Sequence, residues 1–381
     1  DSVIDPAKPE IKGEGAFYVW SHAELARLLD PETLAWFCYH YGVEQDGNVR
    51  EDPHGEFTGR NILYEARTVE QTASRFNVAA DQVQSAMDAA RALLLEARSK
   101  RPRPHLDDKV LTAWNGLMIS AFAKGAQILG EPLYAQAASR ATAFLLRHMY
   151  DPQRVLLLRR FREGEAAIPG FLDDYAFFVN ALLDLYETTF ETYHLELAAQ
   201  IAEKMIEVFE DPENGAFFST AEGDSNLILR IKEDYDGAEP SGNSIGALAL
   251  LRLSRTLDRE DFEQAASRAI TALASRMAQT PTGVPQLLVA FLYSLAAPSQ
   301  IVIAGAKDDA EPLLAAVRSR FLPNATVLLS DSDETRAALA RHTEAFAGMK
   351  PVDGKPAAYV CENFTCRLPV TGTEALLELL R

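Results

Sequence analysis

The chain has 381 residues, of which 48% are hydrophobic and 24% charged, and its formal net charge is -18. This composition is that of a globular protein, and the length allows one large domain with a smaller companion. The negative charge argues against binding to nucleic acid or to anionic membrane surfaces. No apolar run reaches the roughly 18 residues needed to span a bilayer, and only three cysteines are present. Such low cysteine usage favours a reducing, cytoplasmic compartment over a disulfide scaffold.

The first part of the chain contains few regular patterns. Residues 15–20 form a short aromatic run that we interpret as a strand. Ser21 and Thr68 each stand three residues before a Glu or Gln, which is the capping-box spacing that opens a helix. Residues 42–60 form a polar loop, and residues 81–99 show the apolar spacing of an amphipathic helix.

From residue 110 onward, long helical segments rich in alanine and leucine follow one another. Helices are predicted at residues 112–129, 131–149, 173–190, 194–210, 243–257, 259–278 and 285–296. The first, third and fifth are apolar on nearly every side, as buried helices are, whereas the intervening helices carry a polar stripe that faces water. An inner helix followed by an outer helix, repeated, is typical of an α/α barrel or solenoid.

The last part of the chain changes from a purely helical pattern to an alternating one. Strands are predicted at residues 299–305, 325–330 and 357–361, and helices at residues 309–321 and 373–380. Strand–helix–strand spacing implies a small, partly parallel sheet. We therefore place a domain boundary near residue 298, with an α/α-barrel region at 1–298 and a small α/β subdomain at 299–381.

Polar segments precede the predicted inner helices. In the first, Asp107 and Asp108 come directly before the helix, and Trp114 and Asn115 lie in its first turn. An aromatic ring beside carboxylate and amide groups suits a sugar pocket, because the ring packs on the apolar sugar face and the polar groups bind hydroxyls. The alternative is that one aspartate only caps the helix, with Lys109 as its surface partner.

Two further segments repeat this pattern. They supply the candidate site residues Asp173, Asp174, Tyr175, Asp236, Glu239 and Asn243. Asp108, Asp174 and Glu239 are separated by steps of 66 and 65 residues, so a barrel would bring these helix starts to one rim. Crowded carboxylates move each other's pKa values apart, which leaves one protonated acid and one ionised base, as glycoside hydrolysis requires. We expect Asp108 and Asp174 to be this pair, assisted by Asp236 or Glu239, around a sugar-like ligand.

Other chemistries find less support. Cys361 and Cys366 have four residues between them, which is neither the C-x-x-C redox spacing nor half of a four-cysteine zinc site, since Cys38 is the only other thiol. We interpret them first as ordinary thiols, with a disulfide or redox pair as the alternative. The seven histidines form no metal-binding motif, and no nucleotide-binding motif is present, so we predict neither a metal nor a cofactor.

Five motifs in chain order resemble the YyaL-type family of thioredoxin-domain-containing proteins related to spermatogenesis-associated protein 20. They are EGAFYVW at 14–20, DDKVLTAWNGLM at 107–118, FLDDYA at 171–176, DGAEPSGNS at 236–244 and AYVCENFTC at 358–366. The resemblance implies a longer parent protein with an N-terminal thioredoxin-like domain and an (α/α)6 barrel of the six-hairpin glycosidase-like type. It implies that this chain begins after that domain, whose C-x-x-C motif is absent here, and after the first barrel hairpins.

We therefore predict a mainly α fold, an (α/α)6 barrel incomplete at its N-terminus, with a small C-terminal α/β subdomain. An incomplete barrel would expose an apolar flank, which we expect a further N-terminal barrel segment, a partner chain or a homodimer to cover. Three functions stay open: a glycoside hydrolase-like enzyme, a non-catalytic barrel supporting a thioredoxin-like redox domain, and a sugar isomerase similar to N-acylglucosamine 2-epimerase. The carboxylates favour the first, because no pair of histidines can be placed on the rim.

Overall fold

A computed structural model describes residues 2–5, 8–52, 55–223, 228–363 and 365–380 of the chain. Two compact units are present, Asp1–Asp108 and Lys109–Arg381. The predicted boundary near residue 298 falls inside the second unit, and residues 299–381 contribute to the same hydrophobic core as the helices before them. A separate subdomain at 299–381 stays a prediction. Among the described residues, no helix combines the length and the apolar character that a membrane crossing requires.

The first unit contains a short antiparallel strand pair and a group of helices. The elements are β1 Ser2–Asp5, β2 Lys8–Gly13, α1 His22–Leu28, α2 Pro31–His40, α3 Val69–Phe76 and α4 Ala80–Ser99. The predicted capping boxes at Ser21 and Thr68 are both present. Residues 15–18 form a turn rather than the predicted strand, because Gly15 has a φ of 64° and its carbonyl accepts a hydrogen bond from the Tyr18 N–H. Trp20 forms an isolated antiparallel bridge with Asn61.

The second unit begins with successive helical hairpins. Its helices here are α5 Thr112–Leu129, α6 Pro132–His148, α7 Leu172–Thr189, α8 Thr192–Phe209, α9 Gly242–Leu257, α10 Glu260–Ala272, α11 Ala274–Gln279 and α12 Pro285–Leu295. The helix predicted at 259–278 is interrupted at Leu273, whose φ of -99° and ψ of 6° depart from helical geometry. The other bounds agree with the predicted ones to within about three residues, a margin usual for helix ends.

The helices alternate between inner and outer positions. α5 packs on α7, α7 on α9 and α9 on α12, whereas α6, α8 and α10 pack against the inner helix that precedes each of them. α5 and α7 approach closely at Gly116, where a Cβ atom would lie 2.9 Å from the backbone carbonyl carbon of Phe177. This inner–outer alternation confirms the predicted mainly helical architecture of repeated α/α hairpins.

A small antiparallel sheet accompanies the first two hairpins and was not predicted. Its strands are β3 Val110–Leu111, β4 Tyr150–Asp151, β5 Leu156–Arg162 and β6 Glu165–Pro169. β5 and β6 form a hairpin between α6 and α7. The hairpin places Arg159 beside the start of α7, where it bonds to two aspartates.

The chain ends in the predicted α/β segment. Its elements are β7 Ser299–Ala304, α13 Lys307–Arg318, β8 Ala325–Ser330, α14 Asp333–Ala340, β9 Ala357–Glu362, β10 Thr365–Cys366 and α15 Thr373–Leu379. The sheet order is β10-β9-β7-β8, with β7 and β8 parallel and the other pairs antiparallel. Cys361 and Cys366 form a disulfide, so the alternative interpretation applies and the ordinary-thiol interpretation does not.

Candidate functional site

The N-terminal ends of α5, α7, α9 and α12 lie together at one end of the second unit. Asp174 of α7 accepts a hydrogen bond of 2.9 Å from the backbone N–H of Ala113 in α5. A Cβ atom on Gly242, at the start of α9, would lie 3.0 Å from the backbone nitrogen of the second residue of α7. Asp236, in the loop before α9, accepts a bond of 2.8 Å from the backbone N–H of Gln286 in α12. The helix starts thus converge on a common rim.

Asp174 is buried beneath this rim, and both of its oxygens are engaged. Oδ1 accepts from Ala113, and Oδ2 accepts from the Phe171 N–H and from Nη1 of Arg159, each at 2.9 Å. Burial raises the pKa of Asp174 to about 7, and the charge of Asp173 adds to this effect, while Arg159 and the backbone donors act against it. The side chain caps α7 and joins it to α5 and the β5–β6 hairpin. This geometry favours a structural role over the predicted acid/base role.

Asp236 also directs both oxygens to backbone groups. Oδ1 accepts from the Ser241 N–H at 2.8 Å, and Oδ2 accepts from the N–H groups of Gln286 and Leu287 at 2.8 and 3.2 Å. A carboxylate in this position satisfies donors at the start of α12 that have no partner within the helix. Its predicted catalytic role therefore has no support from the geometry.

Two other predicted binding residues lie in the core. Asn243 is buried, and its side chain bonds to the backbone N–H and carbonyl of Phe217 at 2.8 and 2.9 Å. Tyr175 is buried as well, and its hydroxyl accepts from the Leu157 N–H at 3.1 Å. The ring of Tyr175 is therefore not available as the sugar platform that the sequence suggested.

Trp114 is the predicted aromatic residue that the structure leaves accessible. Its side chain is 61% exposed, and its Nε1–H donates to Oε2 of Glu239 at 2.8 Å. This bond links α5 to the loop before α9 and holds the indole at the rim. Asn115, in contrast, donates to the Leu111 carbonyl at 2.8 Å within its own helical turn.

Asp173 lies next to Asp174 and shares its cationic partner. Nη1 of Arg159 is 2.9 and 3.0 Å from the two Asp173 oxygens. The guanidinium also stacks over the Phe171 ring at 4.5 Å. Burial lowers the pKa of Arg159, but Asp174 and Asp173 raise it by more, so the guanidinium stays charged.

Glu233 is a residue of this region that the sequence analysis missed. Glu233 is exposed, but desolvation of its carboxyl, followed by the negative charges of Asp173 and Glu239, raises its pKa. The available signal was the acidic run Glu233-Asp-Tyr-Asp236, of which only Asp236 was a candidate. Asp173, Glu233, Glu239 and the Trp114 indole together are called the acidic rim below.

The remaining predicted acids belong to the first unit. Asp107 and Asp108 are exposed and lie at its C-terminal end, whereas Trp114 and Asn115 belong to the second unit. The two halves of the first predicted segment are therefore positioned by different units. A role for Asp107 or Asp108 stays a prediction.

The described histidines of the second unit lie on outer helices or after α14, and not at the starts of the inner helices. His148 ends α6, with its ring centroid 4.7 Å from that of Phe144. His194 is buried in α8, 3.4 Å from the Thr189 hydroxyl, and His342 follows α14. These positions do not provide a histidine pair at the inner-helix starts.

A second charged cluster lies further along the inner helices and was not predicted. Lys124 of α5 is 3.2 Å from Asp184 and 2.7 Å from Glu187, both in α7. Arg252 of α9 is 2.8 and 3.3 Å from the same two carboxylates. Burial opposes ionisation of Asp184, but Arg252 and Lys124 outweigh it and lower the pKa of that carboxyl. Lys124, Asp184, Glu187 and Arg252 are called the inner charge network; at 1.5 Å per residue it lies about 15 Å along α7 from Asp174.

The chain matches known proteins over its whole length, although no family model matches it. It is 35% identical over 402 residues to spermatogenesis-associated protein 20 of Homo sapiens and 37% identical over 406 residues to the protein of the same name from Mus musculus. Each alignment covers 100% of this chain and 51% of the relative. The chain therefore spans about half the length of the curated relatives it matches.

Solved structures of sugar-processing enzymes show a weaker likeness. A cellobiose 2-epimerase from Bacillus thermoamylovorans has a TM-score of 0.39 at 17% identity, covering 69% of this chain and 67% of its own. An inactive variant of an α-1,6-mannanase of Salegentibacter has a TM-score of 0.36 at 12% identity, covering 86% of this chain and 87% of its own. The sequence relationship is the stronger finding: over its whole length the chain is similar to spermatogenesis-associated protein 20.

Proposed function

We propose that the acidic rim binds a carbohydrate and hydrolyses a glycosidic bond with two of its carboxylates. The observation that carries this proposal is the exposed Trp114 ring, whose Nε1–H donates to Glu239. Desolvation and the negative charges of Asp173 and Glu239 raise the pKa of the Glu233 carboxyl. An indole face packs on the apolar face of a sugar ring, and carboxylates bind its hydroxyl groups.

The proposed roles follow from the surroundings of each carboxyl. Glu233 is the general acid, because a raised pKa keeps it protonated closer to neutral pH. Glu239 or Asp173 is the ionised partner, placed on the other side of the scissile bond. Its distance from Glu233 decides whether it acts as a general base, which needs room for a water molecule, or as a nucleophile. Of the acids predicted from the sequence, this assignment retains Glu239. It does not retain Asp174 and Asp236, because their oxygens accept hydrogen bonds from backbone N–H groups.

A non-catalytic carbohydrate-binding barrel is the second candidate. The tethered and exposed indole of Trp114 would serve binding even if the carboxylates performed no chemistry. A sugar 2-epimerase is less well supported, because the described histidines of the second unit do not lie at the starts of the inner helices. A barrel that only supports a thioredoxin-like domain would need neither the accessible ring nor the raised pKa.

The test is a screen of an oligosaccharide panel for binding and for release of reducing ends. Trp114→Ala is expected to weaken binding by about tenfold or more, because stacking contributes on the order of 1–3 kcal/mol. Glu233→Gln is expected to keep binding and to lower kcat by about 10²- to 10⁴-fold, the usual contribution of a general acid. Glu263→Gln, on the exposed side of the outer helix α10, is the matched control.

Three outcomes separate the candidates. Binding with turnover that depends on Glu233 supports the hydrolase, and binding without turnover supports the non-catalytic barrel. Wild-type protein that neither binds nor cleaves any member of the panel would overturn both. Binding that survives Trp114→Ala unchanged would show that the sugar occupies another part of the molecule.

A further inference from the structure

The disulfide lies at the free edge of the C-terminal sheet. Cys361 in β9 and Cys366 in β10 stand directly opposite each other, with Cα atoms 3.8 Å apart and a sequence separation of 5. In the order β10-β9-β7-β8, β10 is the edge strand of this sheet. The bond therefore joins a central strand to a two-residue edge strand.

The crosslink adds little to the cohesion of the sheet. β9 pairs with β7 along its whole length, from Glu362 opposite Ser299 to Ala357 opposite Ala304. A disulfide stabilises chiefly by closing a long loop in the unfolded chain, and the loop closed here is very short. Cys38 is a free thiol, so the described residues contain no disulfide framework to which this bond could belong.

The two cysteine residues differ in exposure. Cys361 is 2% exposed and belongs to the hydrophobic core, whereas Cys366 is exposed. Disulfides that are exposed and unnecessary for folding are the ones that exchange with external thiols. Because an attacking thiolate must reach the sulfur along the S–S axis, access selects Cys366.

We propose that Cys361–Cys366 is a redox-active disulfide that accepts two electrons from a dithiol through Cys366. A thiolate of the dithiol attacks Cys366 Sγ, the S–S bond breaks, and its electron pair leaves on Cys361 Sγ. That sulfur takes a proton from water, because its apolar surroundings disfavour a thiolate. The second thiolate of the dithiol then attacks the first sulfur of the same dithiol in the mixed disulfide. The bond to Cys366 breaks, and Cys366 leaves as a thiolate. The dithiol is oxidised to a disulfide, and the two cysteines are reduced.

Reduction is expected to have a local effect. The Arg367 N–H still donates to the Val360 carbonyl at 3.0 Å, and Ala358 and Val370 still exchange backbone bonds of 2.8 and 3.1 Å. β9 also remains paired with β7. The fold therefore persists, while the turn between β9 and β10 gains freedom.

The experiment uses the full chain with Cys38→Ser, so that the pair contributes its only thiols. Dithiothreitol is the dithiol probe and glutathione the monothiol probe, both in native buffer. After quenching with iodoacetamide, mass spectrometry counts the alkylated cysteines in the peptide that carries the pair. We expect two-electron reduction by dithiothreitol without denaturant, reoxidation by oxidised glutathione, and an unchanged far-ultraviolet circular dichroism spectrum.

Single variants identify the attacked sulfur. In Cys361→Ser, the Cys366 thiol should attack oxidised glutathione, form a mixed disulfide and release one reduced glutathione, whereas in Cys366→Ser the buried Cys361 thiol should react about tenfold more slowly. Equal rates would overturn the assignment to Cys366. A pair that stays oxidised until the protein unfolds, a fold lost on reduction, or two thiols that oxidised glutathione cannot join would overturn the proposal itself.

Discussion

At the start of an inner helix, the position of an acid within the first turn decides what its side chain can do. Asp174 is the third residue of α7, from which a carboxylate reaches back to the N–H of the residue before the helix. Glu239 precedes α9 and accepts instead from the Trp114 indole of α5. Acids near the starts of inner helices can therefore divide between capping their own helix and contacting another one.

The first expected outcome at this scale concerns the pH dependence of turnover. Because the pKa of Glu233 is raised, a general acid at this position stays protonated to higher pH and then loses its proton as the pH increases. We expect kcat on an identified substrate to fall as pH rises through this pKa, and the alkaline limb to disappear in Glu233→Gln. A wild-type profile without such a limb would remove Glu233 as the acid.

A second outcome concerns the contact between α5 and α7. A methyl group at Gly116 would lie 2.9 Å from the backbone carbon of Phe177, and neither helix can move without disturbing its neighbours. Gly116→Ala should therefore lower the free energy of unfolding by about 1–3 kcal/mol, measured by urea denaturation. Gly372→Ala is the control, because a methyl group there meets nothing within 4 Å. Equal stability of both variants would contradict the close packing.

Between elements, the inner charge network ties three neighbouring inner helices together. Two cations, from α5 and α9, meet two carboxylates from α7, and Nη1 of Arg252 also donates to the Asn180 amide oxygen at 2.7 Å. Burying charges in this way is tolerated because each has an opposite partner. The network favours one register of α5, α7 and α9 over others.

Removing one charge of the inner charge network should lower the free energy of unfolding, because its buried partners then lack an opposite charge. Arg252→Met leaves Asp184 and Glu187 with Lys124 alone, and we expect a loss of about 3–5 kcal/mol in the free energy of unfolding. Lys204→Met, which removes the surface pair of Lys204 with Glu207 in α8, should cost at most about 1 kcal/mol. Urea denaturation of both variants gives the comparison. Similar losses would mean that the network contributes no more than a surface pair.

The sequence predicted the long elements well and their interactions less well. The apolar spacing of α7 and α9 reflects burial on nearly every side, so their bounds could be inferred without knowledge of their neighbours. β5 was missed because its run of three leucines does not alternate as a strand with one exposed face does. The inner charge network could not be inferred, since charged residues within helices usually face water and only the neighbouring helices bury these.

The position of the acidic rim at the inner-helix starts could be predicted, but the side chains that form it could not. The regular spacing was that of Asp108, Asp174 and Glu239. Asp174 and Glu239 bond to the neighbouring residues Ala113 and Trp114 at the start of α5, and the place of Asp108 stays a prediction. Whether a carboxylate faces a ligand or a backbone N–H depends on contacts between residues far apart in the sequence. Arg159 lies in the β5–β6 hairpin, which was not predicted, and Glu233 lies just before the motif at 236–244.

For the molecule as a whole, exposed apolar side chains indicate a further contact. Met118 and Ile128 in α5 are 53% and 72% exposed, and Leu292 and Leu295 in α12 are 64% and 67% exposed. These two helices stand at the ends of the inner-helix row α5–α7–α9–α12. Large exposed apolar side chains grouped along a helix are typical of interaction surfaces.

We therefore expect the purified chain to self-associate in a concentration-dependent manner in sedimentation-velocity measurements. Replacing Leu292 and Leu295 together by glutamate should reduce the association, because charged side chains oppose burial of the α12 surface. Leu368→Glu is the control, since Leu368 is 88% exposed and lies outside the helices. A monodisperse monomer at all concentrations would contradict the expectation.

The N-terminal ends of α5, α7, α9 and α12 lie together, and this arrangement has an electrostatic consequence. Aligned peptide dipoles place about half a positive charge at the start of each helix and an equal negative charge at its end. The acidic rim lies at four positive ends, while Lys124 and Arg252 lie in the C-terminal halves of α5 and α9. The helix dipoles thus make one end of the bundle positive and the other negative. Acidic side chains at the first end and basic side chains towards the second offset these partial charges. The potential at the rim is consequently less negative than the net charge of -18 on the chain suggests.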